Sequence, residues 1–190
     1  TILVNRERIR ATLDFRDAVL HSDVTFVIVP TPSDQRGAFS LKYAIAAFGD
    51  IGRVLAEKSG YHLVVLTSTV LPGSTRYGWL PVLEKESGKM CGRDFGLCYS
   101  PEFIALGSVI HDFLHPDFTL VGQYSERDGA ILEECYSQIM PDKPPCQRMS
   151  LENAEIAKIS LNTFVTTKIT FANMLADICE RVPGGDVDVV

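Results

Sequence analysis

Apolar runs of strand length alternate along the chain with longer stretches of helical periodicity. Val24-Thr25-Phe26-Val27-Ile28-Val29 is β-branched and nearly all apolar, and it stops at Pro30-Thr31-Pro32, which cannot continue a ladder. A helix is predicted over residues 41–58, with Ser40 placed to cap it. His62-Leu63-Val64-Val65-Leu66-Thr67 predicts a second strand, residues 73–86 a helix, and Phe95-Gly96-Leu97-Cys98-Tyr99 a third strand. Phe118-Thr119-Leu120-Val121 predicts a fourth strand and residues 125–140 a helix. A short strand follows near Cys146-Gln147-Arg148-Met149.

Continuous apolar strands separated by helices imply a parallel sheet covered on both faces. The expected class is α/β, a partial doubly wound, Rossmann-like sheet. Ligands of such sheets sit beyond the C-terminal strand ends. That rule selects three loops: Pro30-Thr31-Pro32, Ser68-Thr69-Val70 and Ser100-Pro101-Glu102.

The final pattern differs. Residues 151–181 contain neither Pro nor Gly, Ser150 can cap their start, and Pro183-Gly184-Gly185 stops them. Apolar positions at helical spacing run from Ile156 and Ile159 through Phe164, Ile169 and Phe171 to Leu175 and Ile178. A helix of this length spans roughly 46 Å at 1.5 Å per residue, which is long for a surface helix. It reads as a link between domains or a dimer contact. Residues 1–149 are accordingly expected to form the C-terminal part of one domain, and 150–190 a long central helix and the start of the next.

Charge narrows the partners. The net charge is −6, from 18 basic and 24 acidic residues, and no basic stripe of the kind that binds nucleic acid is present. Arg6-Glu7-Arg8-Ile9-Arg10 is short and interrupted, a solvated edge. No apolar run is long enough to span a membrane, and residues 1–10 lack the apolar segment of a signal peptide. The five cysteines are odd in number and match no zinc spacing, so free thiols in a reducing, cytoplasmic setting are expected. His111 and His115 stand four apart, but Pro116 follows at once and no third ligand is evident, so a surface turn is expected rather than a metal site. Trp79 and Tyr77 are expected to be packing residues, and Cys98 a buried apolar one.

Chemistry gathers at the strand ends and on the long helix. Glu155, Lys158 and Asn162 share a helix face by their spacing. A lysine beside a carboxylate in a partly dry site could stabilise an oxyanion, and the carboxylate could activate water. Spacing alone favours an ordinary Glu–Lys helix pair with a solvated Asn.

Motifs shift that balance. Ser22-Asp23-Val24 through Pro30-Thr31-Pro32, Ser68-Thr69-Val70-Leu71-Pro72-Gly73-Ser74-Thr75, and Ser100-Pro101-Glu102-Phe103 with Gly107 occur in order. His111-Asp112-Phe113-Leu114-His115-Pro116-Asp117 with Gly122 follows, and then Glu155-x-x-Lys158-x-x-x-Asn162. Together they resemble the UDP-glucose/GDP-mannose dehydrogenase family. The resemblance implies oxidation of the C6 hydroxymethyl of a nucleotide sugar, of UDP-glucose type, to a carboxylate with NAD. It implies that Pro30, Thr31, Ser68, Thr69 and Glu102 border the NAD site and that Thr69 holds a catalytic water. Glu102 is implied to activate water in thioester hydrolysis, Lys158 to stabilise an oxyanion, and Asn162 to bind substrate or that oxyanion. The long helix is implied to carry a homodimer contact.

Departures accompany the likeness. No G-x-G-x-x-G turn and no G-G-x-C segment with the family's nucleophilic cysteine occurs in these 190 residues. The chain therefore reads as an interior piece, inactive by itself. Leu106 stands where many members carry a second Glu, and Phe118 where an Arg is common. The rival readings are a β-hydroxyacid or 6-phosphogluconate-type dehydrogenase fragment, and a non-enzymatic dimerisation module.

Overall fold

The structure, a computed structural model, describes residues 9–32, 42–105 and 107–190. Five strands form one sheet in the order β1-β2-β3-β4-β5. They are β1 (Val24–Val27), β2 (Leu63–Leu66), β3 (Gly96–Tyr99), β4 (Thr119–Gln123) and β5 (Cys146–Ser150). The first three are parallel, with Val24 opposite Leu63 and Leu63 opposite Gly96. The expectation of a wholly parallel sheet fails at the next pair. β4 runs antiparallel to β3, with Cys98 opposite Gln123, and β5 is parallel to β4. The reason lies in the connection: β3 and β4 are joined through only one six-residue helix, α4 (Val109–Leu114), and the chain turns back on the same edge. Of the histidines expected in a surface turn, His111 lies within this helix and His115 caps its end; their rings meet at a tilt with centres 5.0 Å apart, and His115 Nδ1 lies against Asp142.

Side chains alternate across the sheet, as strand geometry requires. Val64, Leu66, Leu97, Tyr99 and Leu120 point to one core. α1 (Phe15–Leu20), α2 (Lys42–Glu57) and α3 (Leu80–Ser87) cover that face. Leu63, Val65, Cys98 and Val121 point to the other, under α5 (Glu126–Ile139). Both faces of β2 are closed, which is why it is apolar at every position. α5 begins with a capping box in which Ser125 and Asp128 each satisfy the other's backbone amide. The Ser40 cap expected for α2, and Leu106, lie outside the described residues.

The helix expected over 73–86 is two pieces. Ser74–Trp79 is a π-helical turn, and α3 follows it. Trp79 is fully buried and stacks on Phe48 at 5.5 Å. Tyr77, expected to pack, is instead exposed.

α6 (Leu151–Cys179) contains 29 residues, capped by Ser150, whose side chain accepts from the Asn153 amide. It crosses β4 at Gly122, where an added Cβ would lie 2.7 Å from that of Ala154. Only Leu151, Ala154, Glu155 and Lys158 are buried; the rest of the helix emerges into solvent. Among the described residues no helix is long and apolar enough to cross a membrane.

Candidate active site

The C-terminal ends of β1, β2 and β3 open on one edge, and α6 rises past it. Two of the three expected loops are tied together there. Ser68 Oγ donates to Val29 O at 2.6 Å and accepts from Val29 N at 3.0 Å. Thr31 Oγ1 donates to Thr69 O at 3.0 Å. The side-chain hydroxyls of Ser68 and Thr31 thus hold the β1 and β2 loops side by side, with the exposed Pro30 ending the first.

Thr69 and Asn162 line one open groove of about 610 Å³ that runs along α6 past Ile159, Thr163, Thr166 and Thr170. The Thr166 and Thr170 hydroxyls donate to helix carbonyls four residues back, at 2.9 Å each. Those hydroxyls are spent on the helix backbone, which leaves the groove more apolar than its threonines imply.

Lys158 joins α6 to the third loop. Its Nζ donates to the backbone carbonyl of Glu102 at 2.5 Å and lies 4.4 Å from the centre of the Phe103 ring. Burial lowers the Lys158 pKa, and the Glu102 carboxylate opposes that shift. The ammonium is therefore partly buried, under the influence of the Glu102 charge, and bonded to that residue's main chain. Glu102 itself borders a small cleft shared with Asp112, Phe113 and Pro116. Ser100, which precedes it, is buried, and its Oγ bonds Leu120 O and Tyr136 OH at 2.8 Å each. That serine anchors the loop.

Glu155 departs from the face its spacing assigned. It is wholly buried, and its carboxylate accepts from Gly73 N (2.5 Å), Thr75 N (2.8 Å) and Thr75 Oγ1 (2.6 Å). It pairs with neither Lys158 nor Asn162. The structure therefore puts Thr69 and Asn162 on one groove, joins Lys158 to the main chain of Glu102 instead, and turns Glu155 toward the loop of residues 73–75. Nothing in the spacing of Glu155 signals this contact, because its partners are backbone amides some eighty residues away. The described residues hold no cluster of three or more His, Cys, Asp or Glu that could bind a metal.

Comparison with known proteins fits this geometry. The UDP-glucose/GDP-mannose dehydrogenase NAD-binding domain matches residues 2–140, and the central domain of the same family matches 152–190. The chain belongs to this family. GDP-mannose 6-dehydrogenase of Pseudomonas aeruginosa is 39% identical over 175 residues, which cover 92% of this chain and 39% of that protein. UDP-glucose 6-dehydrogenase of Haloferax volcanii is 36% identical, covering 92% and 41%. The crystal structure of a ternary complex of the Pseudomonas enzyme superposes with a TM-score of 0.87 at 38% identity, covering 92% of this chain and 39% of that one. A UDP-glucose dehydrogenase from Pyrobaculum islandicum gives 0.84 at 34% identity, covering 93% and 39%. The chain thus spans about two fifths of the length of such relatives. Family membership gives this chain an NAD-binding domain of α/β, Rossmann-like fold, and the relatives it resembles are nucleotide-sugar 6-dehydrogenases.

Proposed function

We propose that these residues form one wall of the NAD and nucleotide-sugar site in an enzyme that oxidises a sugar C6 hydroxymethyl to a carboxylate. The observation that carries the reading is the partly buried Lys158 ammonium, bonded to the Glu102 main chain one turn of α6 before the groove-lining Asn162. The site fits a dinucleotide, because the β1 and β2 loops are clamped into one rim beside a groove of about 610 Å³. Pro30, Thr31, Ser68, Thr69 and Glu102 would border the nicotinamide end, and NAD would accept hydride from the sugar carbon.

Lys158 places positive charge where the sugar oxygen becomes an oxyanion, in surroundings that weaken solvent screening. Asn162, one turn further along α6, donates to the same oxygen or orients the sugar. Thr69, whose carbonyl is held by Thr31, lines the groove, and its hydroxyl would hold a water there. The Glu102 carboxylate takes the proton of the water that hydrolyses the thioester. The thiol of that thioester is not one of the five cysteines here. None lines the groove, and burial pushes the thiols of Cys91, Cys98, Cys135 and Cys146 away from thiolate. The 190 residues by themselves are therefore inactive. Residues 1–149 belong to the NAD domain and 150–190 to the link into the next. The enzyme is cytoplasmic, needs neither nucleic acid nor membrane, and works as a homodimer.

Two sugars compete. The family resemblance implied a substrate of UDP-glucose type, whereas relatives reaching 39% identity are GDP-mannose 6-dehydrogenases. NADH production by the full-length enzyme, measured with GDP-mannose and with UDP-glucose, separates them. A strong preference for one, with two NADH per sugar, is expected. NADH from small β-hydroxyacids and none from either nucleotide sugar would sink the reading.

A further inference from the structure

We infer that Glu155 is a positioning residue, which locks Thr69 into register with Lys158 and Asn162 without touching substrate or cofactor. The inference rests on the reaction proposed above.

A buried carboxylate is costly unless strong donors meet it. Glu155 has two backbone amides and one hydroxyl, all within 2.8 Å, and no cation in its hydrogen-bond set. The two amides lie at the start of the π-helical turn, where helix-end N–H groups lack internal partners. Gly73 makes the arrangement possible. Its φ is 87°, and a Cβ there would meet the Tyr77 ring at 3.2 Å.

The consequence follows from where the clamp sits. Ser68 and Thr31 hold the loop of residues 68–75 to β1 at its beginning. Glu155 holds the other end of the loop to α6. Thr69 is held by the first clamp and stands four residues before the second, so the loop passes its register on to α6 through Glu155. On α6, Glu155 precedes Lys158 by about one turn and Asn162 by about two. One carboxylate therefore ties the height and the rotation of α6 to the loop, as Gly122 and Ala154 tie them to the sheet. Glu152 adds a second tie one turn below, through its ion pair with Arg76.

The test uses the full-length enzyme, with NADH production on nucleotide sugar and hydrogen exchange at the amides of residues 73 and 75. Glu155→Gln keeps the shape but turns one acceptor into a donor that faces a donor. Thr75→Val removes a single hydroxyl bond. In Glu155→Gln, kcat should fall ~10- to 100-fold while KM for NAD and sugar changes by less than ~3-fold, the signature of misplaced rather than lost binding groups. Thr75→Val should show a smaller fall of the same kind. Both amides should exchange faster in Glu155→Gln. A kcat within ~2-fold of the parent despite faster exchange would reduce Glu155 to a stability role and overturn the inference. Unchanged exchange would show that the clamp does not exist. If Glu155→Gln fails to fold, Thr75→Val decides, and an unaltered kcat there sinks the idea. A parent enzyme inert toward nucleotide sugars would overturn the proposed reaction, and this role with it.

Discussion

His62 lies buried at the start of β2, on the sheet edge opposite the active site. Its Nε2 is 2.9 Å from Thr25 Oγ1, and its Nδ1 is 3.1 Å from the Lys58 ammonium and 3.0 Å from Ser22 O. Lys58 also reaches Val19 O and Ser22 O, so one lysine sews the end of α2 to the segment before β1. Burial and the Lys58 charge push the His62 pKa down from 6.5 to about 4. A depressed folded value means that the unfolded chain binds the proton more readily. The stabilisation is therefore complete above pH 6.5 and is lost as the pH falls toward about 4. The loss is on the order of 3 kcal/mol. Thermal melts of parent and His62→Gln should diverge in their pH response between about pH 7 and about pH 5, with the variant losing less. Parallel losses in the two proteins would show that His62 does not carry the acid sensitivity.

Gly122 shows what brings α6 and the sheet into contact. Its missing side chain lets Ala154 and Leu151 sit directly on β4. A Cβ would stand 2.7 Å from Ala154 Cβ and 3.2 Å from Leu151 Cα, so α6 must move if one is added. Gly122→Ala should destabilise the protein by ~1–3 kcal/mol. It should also lower kcat in the full-length enzyme, because Lys158 lies one helical turn beyond the contact. Denaturant unfolding beside kinetics checks both, and an unchanged midpoint would contradict the close approach.

That contact also marks the limit of what the sequence discloses. Apolar runs found the first four strands, and Ser125 and Ser150 marked two helix starts, because burial and capping leave local signatures. Direction left none: Phe118-Thr119-Leu120-Val121 reads the same whichever way it runs, and the reversal at β3/β4 escaped notice. α1 and α4, at six residues each, are too short for a helical period to declare itself. The π-helical turn escaped for another reason, since its first amides are satisfied by Glu155 from α6. Motif resemblance singled out Thr69, Glu102, Lys158 and Asn162 as residues of interest. It could not show that Lys158 grips the Glu102 carbonyl, or that Glu155 turns away from both.

The outer part of α6 sets the quaternary prediction. Beyond Ile159 the helix is exposed around its circumference, with Phe164 61% and Phe171 58% accessible. Exposed apolar side chains in a contiguous row mark a contact face. One side, through Thr163, Thr166 and Thr170, lines the groove assigned to substrate. Leu161 and Phe164 line a separate apolar hollow with Phe103, Phe118 and Met149. Val165 follows them around the helix, away from the groove. Substrate and the remainder of one chain can account for the groove side. The opposite side fits the same helix of a second copy, and each large apolar side chain buried there contributes ~1.5–3 kcal/mol. Light scattering on the full-length protein should give the mass of a dimer at micromolar concentration. Phe164→Glu combined with Val165→Glu should shift it to monomer and lower activity, because α6 also carries Lys158 and Asn162. A monomeric parent protein would assign this face to its own chain, and an unshifted double variant would place the dimer contact elsewhere.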